Sequence, residues 1–296
     1  MHLSELLSDR KANHVEEDRT SPSKLNVVLQ HGPCSSSTRQ YKPSHVDLFR
    51  QDQARVEYIH HQAANTTARL NIIGHSLFVG VPTFAGYSVG LFTYIINIGL
   101  GTPTKYFTVM FDTGPDKVGY LELGSPARGV TYTPMLTNPI LPSFYFVNLI
   151  AIFIGGERLD ISPTIFNSPG TILDSGTPFS RLPPTTYFAL RSIFRKKMSN
   201  YLMAPPLFNL DTCYDLTNIE QVVVPNISFV YEGEVTTNLD ISGILFQASD
   251  YQWCLSIVGS RDNSELIIIG SMQQRRFNVV FDVGNSQIGF GINGCS

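Results

Sequence analysis

The sequence predicts a mainly β protein built of packed sheets. Three observations predict it. From Gly90 onward, short runs rich in Ile, Val, Phe and Tyr alternate with Gly, Pro, Asn and Asp, the punctuation of strands and turns. Helical periodicity is confined to two stretches. And two apolar strand ends run into the same chemistry, Phe111-Asp112-Thr113-Gly114 and Leu173-Asp174-Ser175-Gly176-Thr177.

Composition narrows the class. Of 296 residues only 15% are charged, against roughly 25% in an average globular protein, which excludes a disordered chain or a coiled coil. The formal net charge of −3 leaves no electrostatic footprint for nucleic acid or anionic lipid. The longest apolar run, Phe144 to Ile154, is broken by Asn148 and falls short of the roughly 20 residues of a membrane-spanning helix. Met1 to Thr20 holds Asp9, Glu16, Glu17 and Asp18 where a signal peptide is apolar, so no signal peptide is expected there.

In chain order, Leu25 to Leu29 reads as a strand ending at Gly32-Pro33. Ser44 and Asp47 form a capping box that opens a helix over about 44–61. Val46, Phe49, Val56 and Ile59 recur on one side of it, which places Arg50, Asp52, Arg55 and Glu57 on other faces and His60-His61 at a solvated end. Strands are expected at Phe92–Ile98, Tyr106–Phe111, Phe144–Ile154, Thr171–Leu173, Val222–Val224, Ser228–Tyr231, Glu265–Ile269, Asn278–Phe281 and Gln287–Phe290. The second helix, Pro184 to Tyr201, buries Tyr187, Leu190, Phe194 and Met198 and turns Arg191, Arg195, Lys196 and Lys197 to water.

The paired Asp-Thr-Gly and Asp-Ser-Gly-Thr units suit a pair of carboxylates. A strand end fixes each Asp, the hydroxyl residue supplies a hydrogen bond, and Gly lets two loops approach closely. Two carboxylates about 3 Å apart cannot both ionise, so they share a proton. One then serves as general base on a water while the other polarises a carbonyl. Other chemistries lack their residues. No G-x-S-x-G occurs. Gly99-Leu100-Gly101 fails the nucleotide-loop spacings and reads as a strand turn. Cys34, Cys213, Cys254 and Cys295 form no CxxC pair, so no zinc knuckle is expected.

These residues resemble the pepsin-like aspartic proteases, and within them the plant nepenthesin-type and chloroplast-nucleoid-protein-like enzymes. The resemblance runs through Tyr94-Ile95-Ile96-Asn97-Ile98-Gly99-Leu100-Gly101-Thr102-Pro103, the hairpin Gly155-Gly156-Glu157-Arg158-Leu159, and Ile172 to Thr177 with Arg181-Leu182-Pro183. It continues through Asp211 to Leu216, Cys254-Leu255, Ile268 to Gln274, and Val280-Phe281-Asp282 to Cys295-Ser296. It implies a peptidase whose catalytic residues are Asp112 and Asp174, supported by Thr113, Gly114, Ser175, Gly176, Thr177, Ile269 and Gly270. It also implies a disulfide between Cys213 and Cys254, with Cys295 free or paired with Cys34, and a structural role for Asp282. No metal and no cofactor are implied. Residues 24 to 60 resemble the family's prosegment.

The chain departs from the pattern in one place. Asp112 and Asp174 lie only 62 positions apart, whereas each should head a lobe on the order of 100 residues. Gly119 to Gly124 already resembles the strand that leaves the first lobe. Pro115 stands where the family has a Ser that supports the first Asp, and proline has no N–H or hydroxyl to donate. The expected organisation is therefore a prosegment-like region at 1–85, an N-terminal-lobe remnant at 86–118 and a complete C-terminal lobe at 119–296. The expected function is an aspartic endopeptidase acting on peptide or protein, with a homodimer or partner subunit completing the cleft. The alternatives are a catalytically inactive binding or inhibitor protein and a truncated product with no function. The resemblance implies the secretory route, extracellular, vacuolar or plastid.

Overall fold

The computed structural model describes residues 24–27, 44–65, 94–100, 105–111, 119–122, 129–138, 141, 144–167, 169–282 and 285–292. Asp112, Thr113, Gly114, Pro115, Cys34 and Cys295 lie outside the described residues.

Strand β1 (Lys24–Val27) precedes helix α1 (His45–Asn65). Strands β2 (Tyr94–Leu100) and β3 (Lys105–Phe111) form a two-stranded hairpin in which Gly99 is an ordinary ladder position opposite Tyr106. Strand β4 (Gly119–Glu122) pairs antiparallel with β1, Val27 facing Gly119. Then come β5 (Val130–Pro134), β6 (Phe146–Val147), β7 (Leu149–Ile154) and β8 (Glu157–Arg158). The turn between β7 and β8 needs positive φ at two successive positions, and Gly155 (φ 55°) and Gly156 (φ 83°) supply it. The run Phe144–Ile154 is thus two strands, because Asn148 breaks it and each half joins a different sheet.

Strands β9 (Thr171–Leu173) and β10 (Ser180–Leu182) lead into α2 (Pro184–Lys197), followed by β11 (Leu202–Ala204), β12 (Cys213–Asp215), β13 (Ile227–Tyr231) and β14 (Val235–Asn238). Val222–Val224 is no strand: Pro225 follows it, Val223 is exposed, and the Val223 N–H donates to the Tyr201 hydroxyl at 2.7 Å instead of to a ladder. A single helical turn, α3 (Ile241–Ile244), precedes β15 (Leu245–Gln247), β16 (Gln252–Leu255), β17 (Ile257–Gly259), β18 (Ile267–Ile269), β19 (Phe277–Asp282) and β20 (Gln287–Ile292). Cys213 and Cys254 are direct cross-strand partners and form a disulfide.

The five-stranded sheet β17-β10-β18-β9-β6 carries the site. Alternation sends its side chains to two faces. Leu173, Leu182, Ile267, Ile269 and Val147 join the main core with β7, β13 and the apolar side of α2. On the other face the register sets Arg181, Ile268, Ile172 and Phe146 in one row across four strands. Helix α1 covers that row. Val56 and Ile59 pack on Phe146, Ile172, Leu266 and Ile268, and Phe49 stacks on Phe179 and Phe208 with Phe246 at its edge. Burying each of these three helix side chains contributes roughly 2 kcal/mol.

Ser44 opens α1 with the expected box: its hydroxyl accepts from the Asp47 N–H at 3.2 Å, and Asp47 accepts from the Ser44 hydroxyl at 2.8 Å. The polar faces differ from expectation. Val46 is 44% exposed, whereas Asp52 is 1% exposed and Arg55 points into the lobe. His60 is buried against the Glu265 carboxylate at 3.4 Å rather than solvated. On α2, Arg191 and Arg195 also depart from a purely solvated face, since both engage Asp211. Among the described residues no helix is long and apolar enough to cross a membrane.

Candidate active site

Asp174 sits where β9 ends. Its own N–H donates to the Ile269 carbonyl at 3.1 Å, which extends the parallel β9–β18 ladder by one bond and fixes the Asp backbone against a neighbouring strand. The chain then folds back over Gly270. Its N–H donates to the Ser180 hydroxyl at 2.9 Å, and the N–H of Ser271 donates to the Thr177 carbonyl at 2.8 Å. A Cβ at residue 270 would lie 2.7 Å from the carbonyl oxygens of both Thr177 and Pro178, so only Gly fits the crossing. This explains the Ile268-Ile269-Gly270 element in physical terms: it lets two backbone loops touch beside the carboxylate.

Gln273 ties the crossing to the body. Its buried amide oxygen accepts from the Ser180 N–H at 3.0 Å and hydroxyl at 2.6 Å. Its amide nitrogen donates to the Gly243 carbonyl at 2.6 Å and the Ser256 hydroxyl at 2.8 Å. Every polar atom of the side chain is thereby satisfied, which makes the network a rigid support.

The carboxylate of Asp174 is buried and receives four donors. Oδ2 accepts from the Thr177 hydroxyl at 2.5 Å and from Arg55 Nε at 3.2 Å. Oδ1 accepts from Arg55 Nη2 at 2.8 Å and, more loosely, from the Gly176 N–H at 3.4 Å. The predicted supports Gly176, Thr177, Ile269 and Gly270 all come together here, with the half-buried Ser175 in the same turn. Asp112, Thr113 and Gly114 fall outside the described residues.

Sequence reasoning missed Arg55 and its companions. Asp52, one turn before Arg55, pairs with Arg181 with both side chains buried. The Asn209 amide oxygen, turned toward the guanidinium, accepts from Arg181 Nη1 at 3.0 Å and Nη2 at 3.1 Å. Burial outweighs the Arg181 charge and pushes the Asp52 carboxyl up to about 6. Burial likewise lowers the His60 imidazole, against the pull of Glu265. One signal for this existed in the sequence. Positions 49, 52, 56 and 59 share one helical stripe, so Asp52 interrupts an apolar face.

A second polar cluster lies on α2. Asp211 accepts from the Tyr187 hydroxyl, from Arg191, and from the Thr212 hydroxyl at 2.8 Å, while Arg195 donates to its backbone carbonyl at 2.7 Å. These bonds hold the Asp211 carboxyl below its ordinary value despite partial burial. Asp282 closes the β19–β20 turn, accepting from the Asn285 N–H at 3.1 Å and from Gln287 at 3.0 Å.

Comparison with known proteins agrees with this architecture. Residues 144–291, half of the chain, match the family described as xylanase inhibitor C-terminal. An aspartyl protease family protein of Arabidopsis thaliana is 26% identical over 440 aligned positions, covering all of this chain and 93% of that protein. Those positions exceed the 296 residues here by 144, so the relative carries long insertions that this chain lacks. Aspartic proteinase nepenthesin-2 of Nepenthes gracilis is 29% identical over 66% of this chain and 45% of its own length. The crystal structure of edgp superposes with a TM-score of 0.52 at 22% identity, covering 64% of this chain and 51% of that one, and at that identity it shows the fold alone. The chain thus spans about half the length of the latter two. With the Asp174 crossing, the sheet order and these matches together, the chain belongs to the plant pepsin-like aspartic protease family.

Proposed function

We propose that this chain is an aspartic-type endopeptidase lobe in which Asp174 and Asp112 are the two catalytic carboxylates. The carrying observation is Asp174, whose backbone N–H is held at a strand end by the Ile269 carbonyl and whose carboxylate accepts from Thr177 and Gly176. With Arg55 displaced, such a carboxylate can bind a water and remove its proton as the water adds to a peptide carbonyl. The proton shared with the second Asp follows the general logic of aspartic protease dyads. No metal or organic cofactor takes part in this reaction. The substrate would be an extended peptide, and a second copy or another subunit would complete the cleft. The Cys213–Cys254 disulfide and the names of the relatives support the secretory route.

A second reading, a non-catalytic binding protein on the same lobe, is favoured by one observation. Arg55 occupies both oxygens of Asp174. Cleavage of an unfolded protein at about pH 3 to 5, where a shared-proton dyad works, separates the two. Activity that vanishes in both Asp174→Asn and Asp112→Asn establishes the peptidase. A folded sample with no cleavage, with Arg55 in place or replaced, establishes the binding protein.

A further inference from the structure

We propose that Asn226 is the acceptor for an N-linked glycan. The inference rests on the secretory route, where such sugars are attached, and is independent of whether Asp174 is catalytic.

Asn226-Ile227-Ser228 fits the acceptor pattern Asn-x-Ser/Thr with x other than proline. Such tripeptides arise by chance, and what singles this one out is its place in the fold. Asn226 is exposed, whereas Pro225 and Ile227 on either side of it are buried. The two neighbours pin the backbone and leave the Asn side chain facing water. The Asn226 carbonyl accepts from the Gly155 N–H at 2.8 Å, which fixes the residue beside the β7–β8 turn. Its side-chain amide has no hydrogen bond among the described residues. The amides of Asn148, Asn238, Asn263 and Asn285 all bond to neighbouring side chains. Asn226 has no such structural task, so a group carried on its Nδ2 displaces no contact of the lobe. Val223, three positions earlier, is 75% exposed, and its N–H bonds the hydroxyl of Tyr201, which the exposed Leu202 and Met203 follow. A glycan beside this apolar ground shields it from other chains. The other tripeptide of this kind, Asn65-Thr66-Thr67, starts at the last residue of α1 and runs beyond the described residues.

Ser228 sets the order of events. Its side chain is 6% exposed, and its hydroxyl donates to Asn238 Oδ1 at 2.7 Å. An enzyme that must reach the hydroxyl residue finds it only before β13 pairs with β7 and β14. Transfer therefore precedes folding of the lobe. The Asn226 amide nitrogen attacks the anomeric carbon of a lipid-pyrophosphate-linked oligosaccharide. A C–N bond forms, the C–O bond to the pyrophosphate breaks, the amide gives up one proton, and the lipid pyrophosphate leaves with the bonding pair.

The test isolates the site. The full chain with Asn65→Gln is translated behind an added cleavable signal peptide in the presence of microsomal membranes, and protease protection selects the chains that have entered. A slower-migrating species should appear and collapse on glycosidase treatment, with peptide mass mapping placing the sugar on Asn226. Asn226→Gln and Ser228→Ala abolish it, and Ser228→Thr retains it. Because transfer precedes folding, these variants report on the site even where they destabilise the lobe. Protected chain without sugar at residue 226 overturns the proposal. The glycosylated chain should also fold, read as loss of thiol labelling at Cys213 and Cys254 when their disulfide forms. Persistent labelling in the glycosylated chain, with none in Asn226→Gln, overturns it as well. Glycosylation in the membranes together with recovery of the native protein from a non-secretory fraction keeps the acceptor and removes only the route.

Discussion

The two faces of the Asp174 sheet are stabilised by different physics. One face packs Leu173, Leu182, Ile267 and Ile269 into a core of aliphatic and aromatic side chains. The other packs a row that starts at Arg181 and continues through Ile268, Ile172 and Phe146 under a single helix, with two ion pairs set into it. Apolar burial is indifferent to direction, so the first face holds the lobe together. Charge pairing specifies register, so the second face selects one particular helix in one particular place. A buried ion pair adds little net stability but is costly to break from one side. The difference teaches that the core face sets global stability and the helix face sets which helix packs there and in which register.

The largest expected effect lies on the first face. Phe229→Ala, at a fully buried core position, should lower stability by about 4 kcal/mol. Denaturant unfolding should remain a single transition with α1 and the sheet lost together. Loss of α1 alone would break the comparison.

That distinction was only half legible in the sequence. The aliphatic strands Thr171–Leu173, Asn278–Phe281 and Gln287–Phe290 stood out because runs of Ile, Val and Phe between turn residues leave few alternatives, and the Asp174 motif was read from five consecutive residues. Short strands such as β10, whose sequence is Ser180-Arg181-Leu182, carry no such pattern and exist through their neighbours on both sides. Val222–Val224 has the composition of a strand but no ladder to join. The charged side of α1 was misread for one reason: Asp52 and Arg55 find their partners 129 and 119 positions away. Helical periodicity reports which residues share a face, and only the distant partner decides whether a charge on that face is buried.

The next effect sharpens the second face. Asp52→Asn leaves Arg181 buried with Asn209 as its remaining partner, at a cost of about 3 kcal/mol. The loss should appear as faster amide exchange in α1, with the exchange of β13 and β18 nearly unchanged. Equal acceleration in both regions would merge the two faces into one cooperative unit.

The smallest effect concerns pH. The docked Asp52 carboxyl lies at about 6, above its free value of 3.8. The docked form therefore binds the proton more tightly, and this contribution to docking is full below 3.8 and fades as pH rises through about 6. From the lobe, Arg181, Asn209 and the Phe179 backbone face this carboxyl. His60 opposes it. Its imidazole, facing Glu265 and Arg261, is depressed below 6.5, so its contribution is present above 6.5 and fades as pH falls through the docked value. In a His60→Gln chain only the Asp52 response remains. Protection of α1 amides should then rise between about pH 7 and pH 5. A fall would show that acid loosens α1 through another group.

The pairing of β1 with β4 has a consequence for a chain nicked after α1. Only residues 28–43 separate β1 from Ser44, where α1 begins. A cut between α1 and β2 would leave the helix tied to the lobe through the β1–β4 ladder. Short tethers keep a bound group at an effective concentration on the order of millimolar. A singly nicked molecule would thus stay mostly self-bound, with a closure independent of protein concentration. Free helix would accumulate only after the β1–β4 bonds were broken or the connector was cut a second time.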